Sequence, residues 1–472
     1  MRRVAVVGGG IAGLAAAYEL EKARKGGADI DWQLYEASGR FGGIVETVRQ
    51  DGFVLEQGPD AWVTEKPWAR ELAVELGLEA ELIFSNDATR KTYILIDGRL
   101  QPIPDKMRMM VPEDLGALEG SPLFSDSARE AYAAELGRAG ELRASAPGED
   151  ESVAAFVRRH FGEEVLAKIA APLLSGVFGG DVAKLSVRAV MPAFVAMERE
   201  HGSLIAALQA KAKRSSPQPI FTSLRNGMGS LIEALVLRLP AERLHLNRSA
   251  LSIKREGKLW CLRASTPAEK GRTGKSKRHF NHILLATPGD VTRGLLASLD
   301  AAAAALIPTD ASSAVLAAFA FPDATFALPQ GFGFLVPATQ NSGAETSLLA
   351  ATFVTQKFPD RAPKGAQVLR AFFGGSSAEA LADAGDEAVS QVALAQLQEI
   401  LGPLPAPTLT TVRRWPRSLP QYEVGHLERI AELDQRIATL GGLTLLGNAY
   451  RGVGLPDLIR DSRAAAKSLA SK

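Results

Sequence analysis

The sequence predicts an α/β protein in which a discontinuous Rossmann-like domain receives an inserted mixed-sheet domain and an inserted helical domain. Residues 4–20 read VAVVGGGIAGLAAAYEL: a short apolar strand, a glycine-rich turn and an alanine-rich helix. A second glycine-rich segment, residues 446–457, leads into a final helical pattern. Helical periodicity dominates residues 105–219 and strand-like runs return after residue 243. The first domain is therefore expected to be interrupted and completed late in the chain.

The first glycine turn has the GxGxxG spacing of dinucleotide sites, on Gly8, Gly10 and Gly13. Gly8 suits a tight turn, Gly10 lets backbone approach a pyrophosphate, and Gly13 lets the helix lie close to the sheet. Phosphate groups would meet free N–H groups and the positive end of the helix dipole. Glu36 ends the next strand-like run and is expected to accept a ribose hydroxyl. An acidic residue there disfavours a phosphorylated ribose, so NADP is the least expected dinucleotide.

Two further segments indicate which dinucleotide binds. A cation and a second glycine pair, Arg40 with Gly42 and Gly43, follow Glu36, as a longer cofactor would need beyond its pyrophosphate. In the late glycine-rich segment, Pro456 suits the first turn of a helix. A second helix N-terminus would place backbone donors at the N1/C2=O edge of a reduced flavin. Dinucleotide-related segments near both ends of the chain therefore favour FAD over NAD.

Composition and charge exclude several classes of function. With 46% hydrophobic and 23% charged residues among 472, the chain has ordinary globular composition, and its length predicts two or three domains. The net charge of +1 gives no global attraction to nucleic acid. The basic run at residues 270–278 is interpreted as a solvated hairpin tip, so nucleic acid is not an expected partner. Cys261, the only cysteine, excludes an internal disulfide and a thiolate cage, and fits a reducing cytoplasm.

The sequence also limits targeting and metal binding. Arg2 and Arg3 before an apolar stretch resemble a signal peptide, but its cleavage would destroy the glycine fingerprint. No uninterrupted apolar run reaches the roughly 18 to 20 residues that span a bilayer. Residues 189–208 predict a core helix pair, although contact with the inner face of the cell membrane stays open. We expect no metal at His279 and His282, which lie on a strand edge beside the basic run.

The domain boundaries follow from these patterns. We expect residues 1–84, 220–300 and 441–472 to form the FAD-binding domain. Residues 85–105 and 301–440 would form the substrate-binding domain, and residues 106–219 the helical, membrane-associating domain. Within the second of these, residues 92–104 alternate around Asp97 and Gly98, which predicts a hairpin.

Several segments resemble the FAD-dependent porphyrinogen oxidases of heme biosynthesis, which are relatives of amine oxidases and share their flavoprotein architecture. The matching residues are 8–20, 58–60, 175–181 with 185–186, 331–337, 420–428 and 447–454. The glycine fingerprint is shared with many flavoproteins. The SGVFGGD and PQYEVGHLE segments are far more particular to this family. The resemblance therefore runs from one end of the chain to the other.

The resemblance implies removal of six electrons from a reduced tetrapyrrole, in three hydride transfers to flavin N5, with oxygen as final acceptor. It implies cofactor contacts at Gly8, Gly9, Gly10, Ile11, Ala12, Gly13, Glu36, Ala37, Arg40, Gly42, Gly43, Gly58, Pro59, Asp60, Ala61, Ala250, Gly452, Val453 and Gly454. Gly176 resembles the position whose backbone carbonyl faces the pyrrole nitrogens. Leu335 and Phe372 resemble the walls that sandwich the macrocycle. No catalytic side chain is expected, because holding a bridge carbon about 3 to 3.5 Å from N5 supplies much of the rate.

Departures from the family pattern bear on the substrate. The plant and mitochondrial branch carries an arginine for a substrate propionate where this chain has Thr92. Residues 58–66 instead look like the bacterial branch that acts on coproporphyrinogen III, a ring with four propionates. Lys66, Arg90 and Lys91 are candidate cations for these carboxylates. Coproporphyrinogen III is therefore the favoured substrate and protoporphyrinogen IX the alternative.

Two other functions stay open. A flavin amine oxidase is the nearest enzymatic rival, but many of those carry a cysteine for covalent flavin attachment near the C-terminal segment, and Cys261 lies far from it. A non-catalytic, flavin-stabilised carrier could hand tetrapyrroles to a heme-pathway partner enzyme. His426, in the PQYEVGHLE segment, is expected to pack or hydrogen-bond rather than to act as a base.

Overall fold

The computed structural model describes residues 1–146, 148–212, 218–269, 272–323, 326–340 and 346–471. The strands are β1 (Arg2–Val7), β2 (Ile30–Tyr35), β3 (Thr47–Gln50), β4 (Phe53–Glu56), β5 (Trp62–Val63), β6 (Leu82–Phe84), β7 (Thr92–Ile96), β8 (Arg99–Pro102), β9 (Met107–Arg108), β10 (Val111–Pro112), β11 (Phe221–Leu224), β12 (Leu244–His245), β13 (Ala250–Glu256), β14 (Leu259–Glu269), β15 (Arg272–Phe280), β16 (His282–Leu285), β17 (Ala311–Phe321), β18 (Gly333–Leu335), β19 (Ala350–Phe353), β20 (Gln367–Gly374), β21 (Leu409–Pro420) and β22 (Leu443–Leu445).

The α-helices are α1 (Ile11–Lys25), α2 (Trp68–Glu75), α3 (Asp126–Gly137), α4 (Ala139–Ala144), α5 (Val153–Val165), α6 (Ala171–Phe178), α7 (Val187–Val190), α8 (Pro192–His201), α9 (Leu204–Ala212), α10 (Gly229–Leu237), α11 (Gly289–Leu296), α12 (Ala301–Leu306), α13 (Val354–Lys357), α14 (Gly375–Ala380), α15 (Asp386–Leu401), α16 (His426–Leu440) and α17 (Leu455–Ala470). A π-helical turn, Leu166–Ala170, joins α5 to α6.

A five-stranded parallel sheet, in the order β12-β2-β1-β16-β22, forms the first layer. Strand β1 lies at its centre, and its last four residues are fully buried, as expected for a parallel strand covered on both faces. Helices α1 and α17 pack on one face with α2 and α10. The chain thus returns to its first sheet through β16, β22 and α17, as the glycine-rich segments predict.

A seven-stranded mixed sheet, in the order β21-β17-β20-β19-β18-β7-β8, forms the second layer. Strands β17, β18, β19 and β20 of this sheet lie in the region where strand-like runs are expected to return, after residue 243. The predicted hairpin is also confirmed: β7 and β8 pair antiparallel around Asp97 and Gly98, which have φ values of 49° and 72°. Two successive positive φ angles characterise the tight turns whose twist matches that of the strands.

Helices α3 to α9 form a separate core with apolar side chains such as Phe156, Phe161 and Leu204. Residues 189–208 contribute the helix pair α8 and α9, as expected. No helix in the described ranges is long and apolar enough to cross a membrane. Of the basic run expected to be a hairpin tip, residues 270–271 lie outside the described residues, and β15 begins at Arg272.

Helices α12 and α16 lie within residues 301–440 but pack on the parallel sheet. Buried side chains of α12 and α16 pack with Ile283 and Leu443 of the parallel sheet. Residues 301–440 were expected to belong to the mixed-sheet domain, but the apolar faces of these helices are buried by the first sheet. We therefore propose that the cofactor domain also includes α12 and α16.

Candidate functional site

The first glycine turn is packed so tightly that only glycine fits at two of its positions. Gly8 has φ +106°, and a Cβ there would lie 2.3 Å from the carbonyl oxygen of Ala286. A Cβ at Gly13 would lie 1.9 Å from the carbonyl oxygen of Gly8. Strand β1, the turn and α1 are thus pressed together against the end of β16, which fixes the position of the helix N-terminus.

Gly10 differs because it faces open space. It is the N-cap of α1 without a side-chain cap, and a Cβ there would meet only the Cα of Gly43, at 3.9 Å. The Gly42 N–H donates to the Gly9 carbonyl at 2.8 Å, so the backbone of the second glycine pair lies against the backbone of the first glycine turn. The first N–H groups of a helix have no partner within it. The structure therefore offers backbone donors and free volume together, which fits the pyrophosphate of FAD.

Glu36 lies beside this turn. Its carboxylate accepts hydrogen bonds from the N–H groups of Gly9, at 2.6 Å, and Ser38, at 2.8 Å. The Glu36 carbonyl accepts the Arg248 N–H at 2.8 Å, two residues before the predicted contact Ala250 at the start of β13. A carboxylate accepts about four hydrogen bonds. Glu36 thus holds the turn and keeps acceptor sites for a ribose hydroxyl.

The late glycine-rich segment forms the N-terminus of α17. Gly454 is its N-cap and has no side-chain cap. Gly452 has φ +85°, and a Cβ there would lie 2.9 Å from Oδ2 of Asp457 in the first helical turn. The same oxygen pairs with the ammonium of Lys66 at 2.5 Å. The structure therefore places Lys66, predicted to bind a propionate, in an ion pair at the end of this helix.

The two glycine-rich segments border the same stretch of chain. Ala286, which touches the first glycine turn, precedes Thr287, whose carbonyl oxygen lies 3.9 Å from a Cβ built on Gly447. The Leu446 N–H also donates to the carbonyl of Leu285 at 2.8 Å. The two segments therefore follow β1 and β22, the strands on either side of β16, at the edge of the parallel sheet where ligands of open α/β sheets bind.

The third predicted cofactor segment, residues 58–61, is held in place by contacts with charged side chains. A Cβ at Gly58 would lie 1.9 Å from the Ile44 carbonyl oxygen. The Gly58 carbonyl accepts a hydrogen bond from Arg370, and the Asp60 carboxylate pairs with Lys357 at 3.0 Å. Burial would raise the pKa of Asp60, but Lys357 and Arg370 lower it to about 2. The Asp60 side chain is therefore an ionised anchor of the loop.

Three predicted substrate residues come together on the mixed sheet. Leu335 pairs with Ala350 across β18 and β19, and Ala350 pairs with Phe372 across β19 and β20. Residues paired in this way share a sheet face, so the small Ala350 lies between two large side chains whose strands are about 10 Å apart. Gly176 of α6 lies over this row, since a Cβ there would be 3.1 Å from Leu335 Cδ2. The row thus has a small residue between two large ones, and its use as a slot for a ring, with Ala350 as the floor, remains a prediction.

The two remaining predicted cations, Arg90 and Lys91, are exposed and directly precede β7. Thr92, at the start of β7, pairs with Gly333 of β18. Arg90 therefore lies near one end of the strands that carry the slot. Its role in binding a carboxylate remains a prediction.

The PQYEVGHLE segment packs directly on the late glycine-rich segment. His426 is fully buried, and its Nε2 bonds the Tyr450 carbonyl oxygen at 2.8 Å. Tyr422 donates its hydroxyl to the Asn448 carbonyl at 2.5 Å. Burial lowers the pKa of His426, with Arg429 adding to the effect. His426 thus packs and hydrogen-bonds, as expected, and it fixes the backbone that leads into α17.

The two histidines considered for metal binding are directed to different partners. His282 Nε2 bonds Thr444 Oγ1 at 2.8 Å, and His279 Nε2 bonds Glu256 at 2.8 Å. Glu256, His279 and Cys261 have ligand atoms within 4.8 Å of one another. The Lys277 ammonium already pairs with Glu256 at 3.0 Å, so the protein supplies its own cation there.

Sequence reasoning missed three buried cations beneath the 58–61 loop: Lys357, Arg361 and Arg370. Arg370 interrupts the apolar run of β20, VLRAFF, and this unusual position was the available signal. Cations are rarely buried in a sheet without a partner. Their partners, Glu56 and Asp60, lie some 300 residues away in sequence, which sequence patterns do not connect.

Comparison with known proteins agrees with this geometry. The family model of flavin containing amine oxidoreductases matches residues 11–470. The coproporphyrinogen III oxidase of Bacillus subtilis is 31% identical, covering 98% of this chain and 97% of that protein. The chloroplastic protoporphyrinogen oxidase of Nicotiana tabacum is 31% identical, covering 95% of this chain and 82% of that protein.

A solved structure extends the similarity to the fold. A protein from Exiguobacterium sp. 255-15, provisionally named a protoporphyrinogen oxidase, superposes with a TM-score of 0.84 at 31% identity, covering 100% of this chain and 99% of the other. Sequence and fold therefore agree over the whole length. The chain belongs to the flavin containing amine oxidoreductases and, within them, to the FAD-dependent porphyrinogen oxidase family.

Proposed function

We propose that this protein oxidises coproporphyrinogen III to coproporphyrin III, using FAD as the immediate electron acceptor and oxygen as the final one. The observation that carries the proposal is the row of Leu335, Ala350 and Phe372 on one sheet face with Gly176 over Leu335, which we interpret as a slot for the ring. A large apolar ring needs such a slot, and the small amines of amine oxidases do not. The bacterial relatives named coproporphyrinogen III oxidase support the same substrate.

The proposed reaction needs no side chain to act as a strong acid or base. When bound, FAD would supply the acceptor for a hydride from a bridge carbon of the ring, and each loss would bring the ring closer to aromaticity. The protein must hold that carbon within about 3 to 3.5 Å of the acceptor atom, because correct placement supplies much of the rate. Leu335 and Phe372 orient the ring and exclude water. Gly176, without a side chain, lets its backbone carbonyl approach the pyrrole N–H groups.

The four propionates distinguish this substrate from protoporphyrinogen IX. We propose that Lys66, Arg90 and Lys91 supply positive charge to them. Lys66 is 43% exposed and shares Asp457 with the N-terminus of α17, so a propionate would compete with that carboxylate. Thr92, where the plant branch has an arginine, is compatible with a different distribution of carboxylate contacts.

Protoporphyrinogen IX is the second candidate because the tobacco relative carries that name and matches over most of this chain. Steady-state oxidation of both porphyrinogens, followed by porphyrin fluorescence, separates the two. We expect a higher kcat/KM for the tetracarboxylate. A higher kcat/KM for the dicarboxylate would reverse the assignment, and oxidation of neither ring would favour a tetrapyrrole carrier.

The final acceptor and the location are part of the same proposal. With oxygen as acceptor, three hydrogen peroxide molecules form for each porphyrin, which a peroxidase-coupled assay counts. We place the protein in the cytoplasm, in peripheral contact with the inner membrane face and with a heme-pathway enzyme. Flotation with anionic vesicles tests the membrane contact. Recovery of the protein only in the lipid-free fraction would contradict that contact.

A further inference from the structure

Five charged side chains form a buried cluster beneath the 58–61 loop. Their side chains expose between 0% and 16% of their surface: Glu56 1%, Asp60 16%, Lys357 10%, Arg361 0% and Arg370 3%. Glu56 lies at the end of β4, and Arg370 lies on β20. The cluster therefore joins the cofactor domain to the mixed sheet.

The two acids of this cluster, Asp60 and Glu56, are both held by donors, and burial acts on both. Asp60 has a pKa of about 2, because Lys357 and Arg370 outweigh the opposing effect of burial. Glu56 accepts the Met228 N–H at 2.7 Å and the Thr47 hydroxyl at 2.6 Å, and pairs with Arg361 at 3.1 Å. Burial raises the pKa of Glu56, and Arg361, Thr47 and Met228 only partly oppose that rise.

The positive groups of this cluster outnumber its two acids. Guanidinium groups stay charged in proteins, and the Lys357 ammonium lies 3.0 Å from Asp60. Three cations therefore face at most two negative charges. Among the residues that the structure describes, Nε and Nη1 of Arg361 and Nε of Arg370 have no hydrogen-bond partner. Buried charge is costly unless it is paired, so this cluster is suited to a further anion.

Arg370 places this charge between the predicted flavin loop and the predicted ring slot. It donates to the Gly58 carbonyl, and its guanidinium carbon lies 4.9 Å from the Phe372 ring centroid. Arg370 and Phe372 are two residues apart on β20, so they share the face that carries the slot. One side chain thus contacts both predicted binding surfaces.

We propose that the excess positive charge of this cluster stabilises the reduced, anionic form of the flavin, and that Arg370 is the positioning residue that links it to the slot. The inference rests on the proposed function, because it takes the 58–61 loop as a flavin contact. Hydride addition to neutral oxidised flavin moves two electrons and one proton and leaves one negative charge. A neighbouring cation favours that charge through Coulomb attraction.

Two substitutions of opposite sign test the proposal. Arg370→Met removes a cation and keeps an unbranched apolar stem, whereas Asp60→Asn removes an anion and keeps the shape. We expect the first to lower the flavin midpoint potential and the second to raise it. A tenfold change in the ratio of reduced to oxidised flavin, about 30 mV for a two-electron couple, is the expected size. Arg370→Lys, which keeps the charge, should stay close to wild type.

The potential is measured by dye-coupled reduction of the FAD-loaded protein, without a porphyrinogen. Circular dichroism and flavin stoichiometry identify any variant that fails to fold or to bind FAD, and Lys357→Met then replaces Arg370→Met with the same expected sign. Unchanged potentials in folded, loaded charge variants would overturn the proposal. The proposed function fails through a different result, namely absence of porphyrinogen oxidation by the wild-type protein.

Discussion

The imidazole of His426 stacks on the ring of Tyr422, with centroids 4.0 Å apart and planes inclined by 14°. Both rings also reach the backbone of the late glycine-rich segment, through Tyr450 and Asn448. The stack thus fixes the path of the chain into α17. It gives the PQYEVGHLE segment a structural role, which fits the proposed chemistry without a histidine base.

Replacing this imidazole should loosen the cofactor site. His426→Ala removes a buried hydrogen bond and an aromatic contact, and we expect it to lower the free energy of unfolding by about 2 to 4 kcal/mol. FAD affinity should fall with it. Urea unfolding and flavin titration measure the two effects. His279→Ala, at a partly exposed position, is the control, and equal losses in both variants would contradict the role.

Two glycines of the first turn should respond differently to one added methyl group. Gly13→Ala places a Cβ 1.9 Å from the Gly8 carbonyl oxygen, so the fold should be lost. Gly10→Ala meets only the Cα of Gly43, at 3.9 Å, so the apoprotein should fold normally. Its methyl group fills the space proposed for the pyrophosphate, and we expect at least about tenfold weaker FAD binding. Normal FAD affinity in folded Gly10→Ala would show that the pyrophosphate does not bind at that position.

The slot makes a prediction about ring binding. Ala350→Leu fills the floor between Leu335 and Phe372, and should lower kcat/KM for coproporphyrinogen III by at least about 100-fold, or 2.7 kcal/mol. FAD content should be unchanged. Ala350→Gly, which leaves the floor open, is the matched control. Full activity of the leucine variant would show that the ring binds elsewhere.

The ion pair between Lys66 and Asp457 predicts a substrate-dependent effect. Lys66→Ala should raise KM more for the ring with four propionates than for the ring with two. Lys467→Ala makes the same charge change at the exposed far end of α17 and should affect neither substrate. Steady-state kinetics with both rings decides the question. An equal rise for both substrates would exclude Lys66 from discriminating between them.

The helical core contains a pH-sensitive contact. His160 is buried between Glu135, at 3.0 Å, and Glu198, at 3.1 Å. Burial lowers the pKa of His160, but the two carboxylates raise it by a larger amount. The net pKa therefore lies above the ordinary value. The folded state therefore binds this proton more tightly than the unfolded state does.

This contribution to stability should be complete below about pH 6.5, the pKa of an unfolded histidine. It should be lost as the pH rises through the higher pKa of the folded state. His160→Gln removes the titrating group, and its free energy of unfolding should fall less between pH 6 and pH 9 than that of the wild type. Parallel pH profiles for the two proteins would contradict the assignment.

The elements with strong local patterns could be predicted from the sequence. The strand, turn and helix at Gly8 to Gly13, the hairpin at Asp97 and Gly98, and the return through α17 all depend on glycine geometry and on apolar spacing. These signals are local, because each is set by neighbouring residues. The placement of Gly176 over Leu335 came instead from the family resemblance.

Other features depend on contacts between distant segments. Arg370 and Asp60 meet only because the mixed sheet packs against the cofactor domain, and no local pattern predicts that contact. The ion pair of Lys66 with Asp457 likewise joins residues far apart in sequence. Helix α16 is amphipathic, but its pattern does not tell which of the two sheets buries its apolar face.

Anaerobic mixing of the FAD-loaded protein with coproporphyrinogen III tests the central claim most directly. We predict loss of the oxidised flavin absorbance within a single turnover, at a rate that saturates with substrate, and faster loss than with protoporphyrinogen IX. Porphyrin fluorescence should appear only when oxygen is readmitted in sufficient amount for all three steps. Flavin that stays oxidised with either ring, in a protein that retains its FAD, would contradict the account.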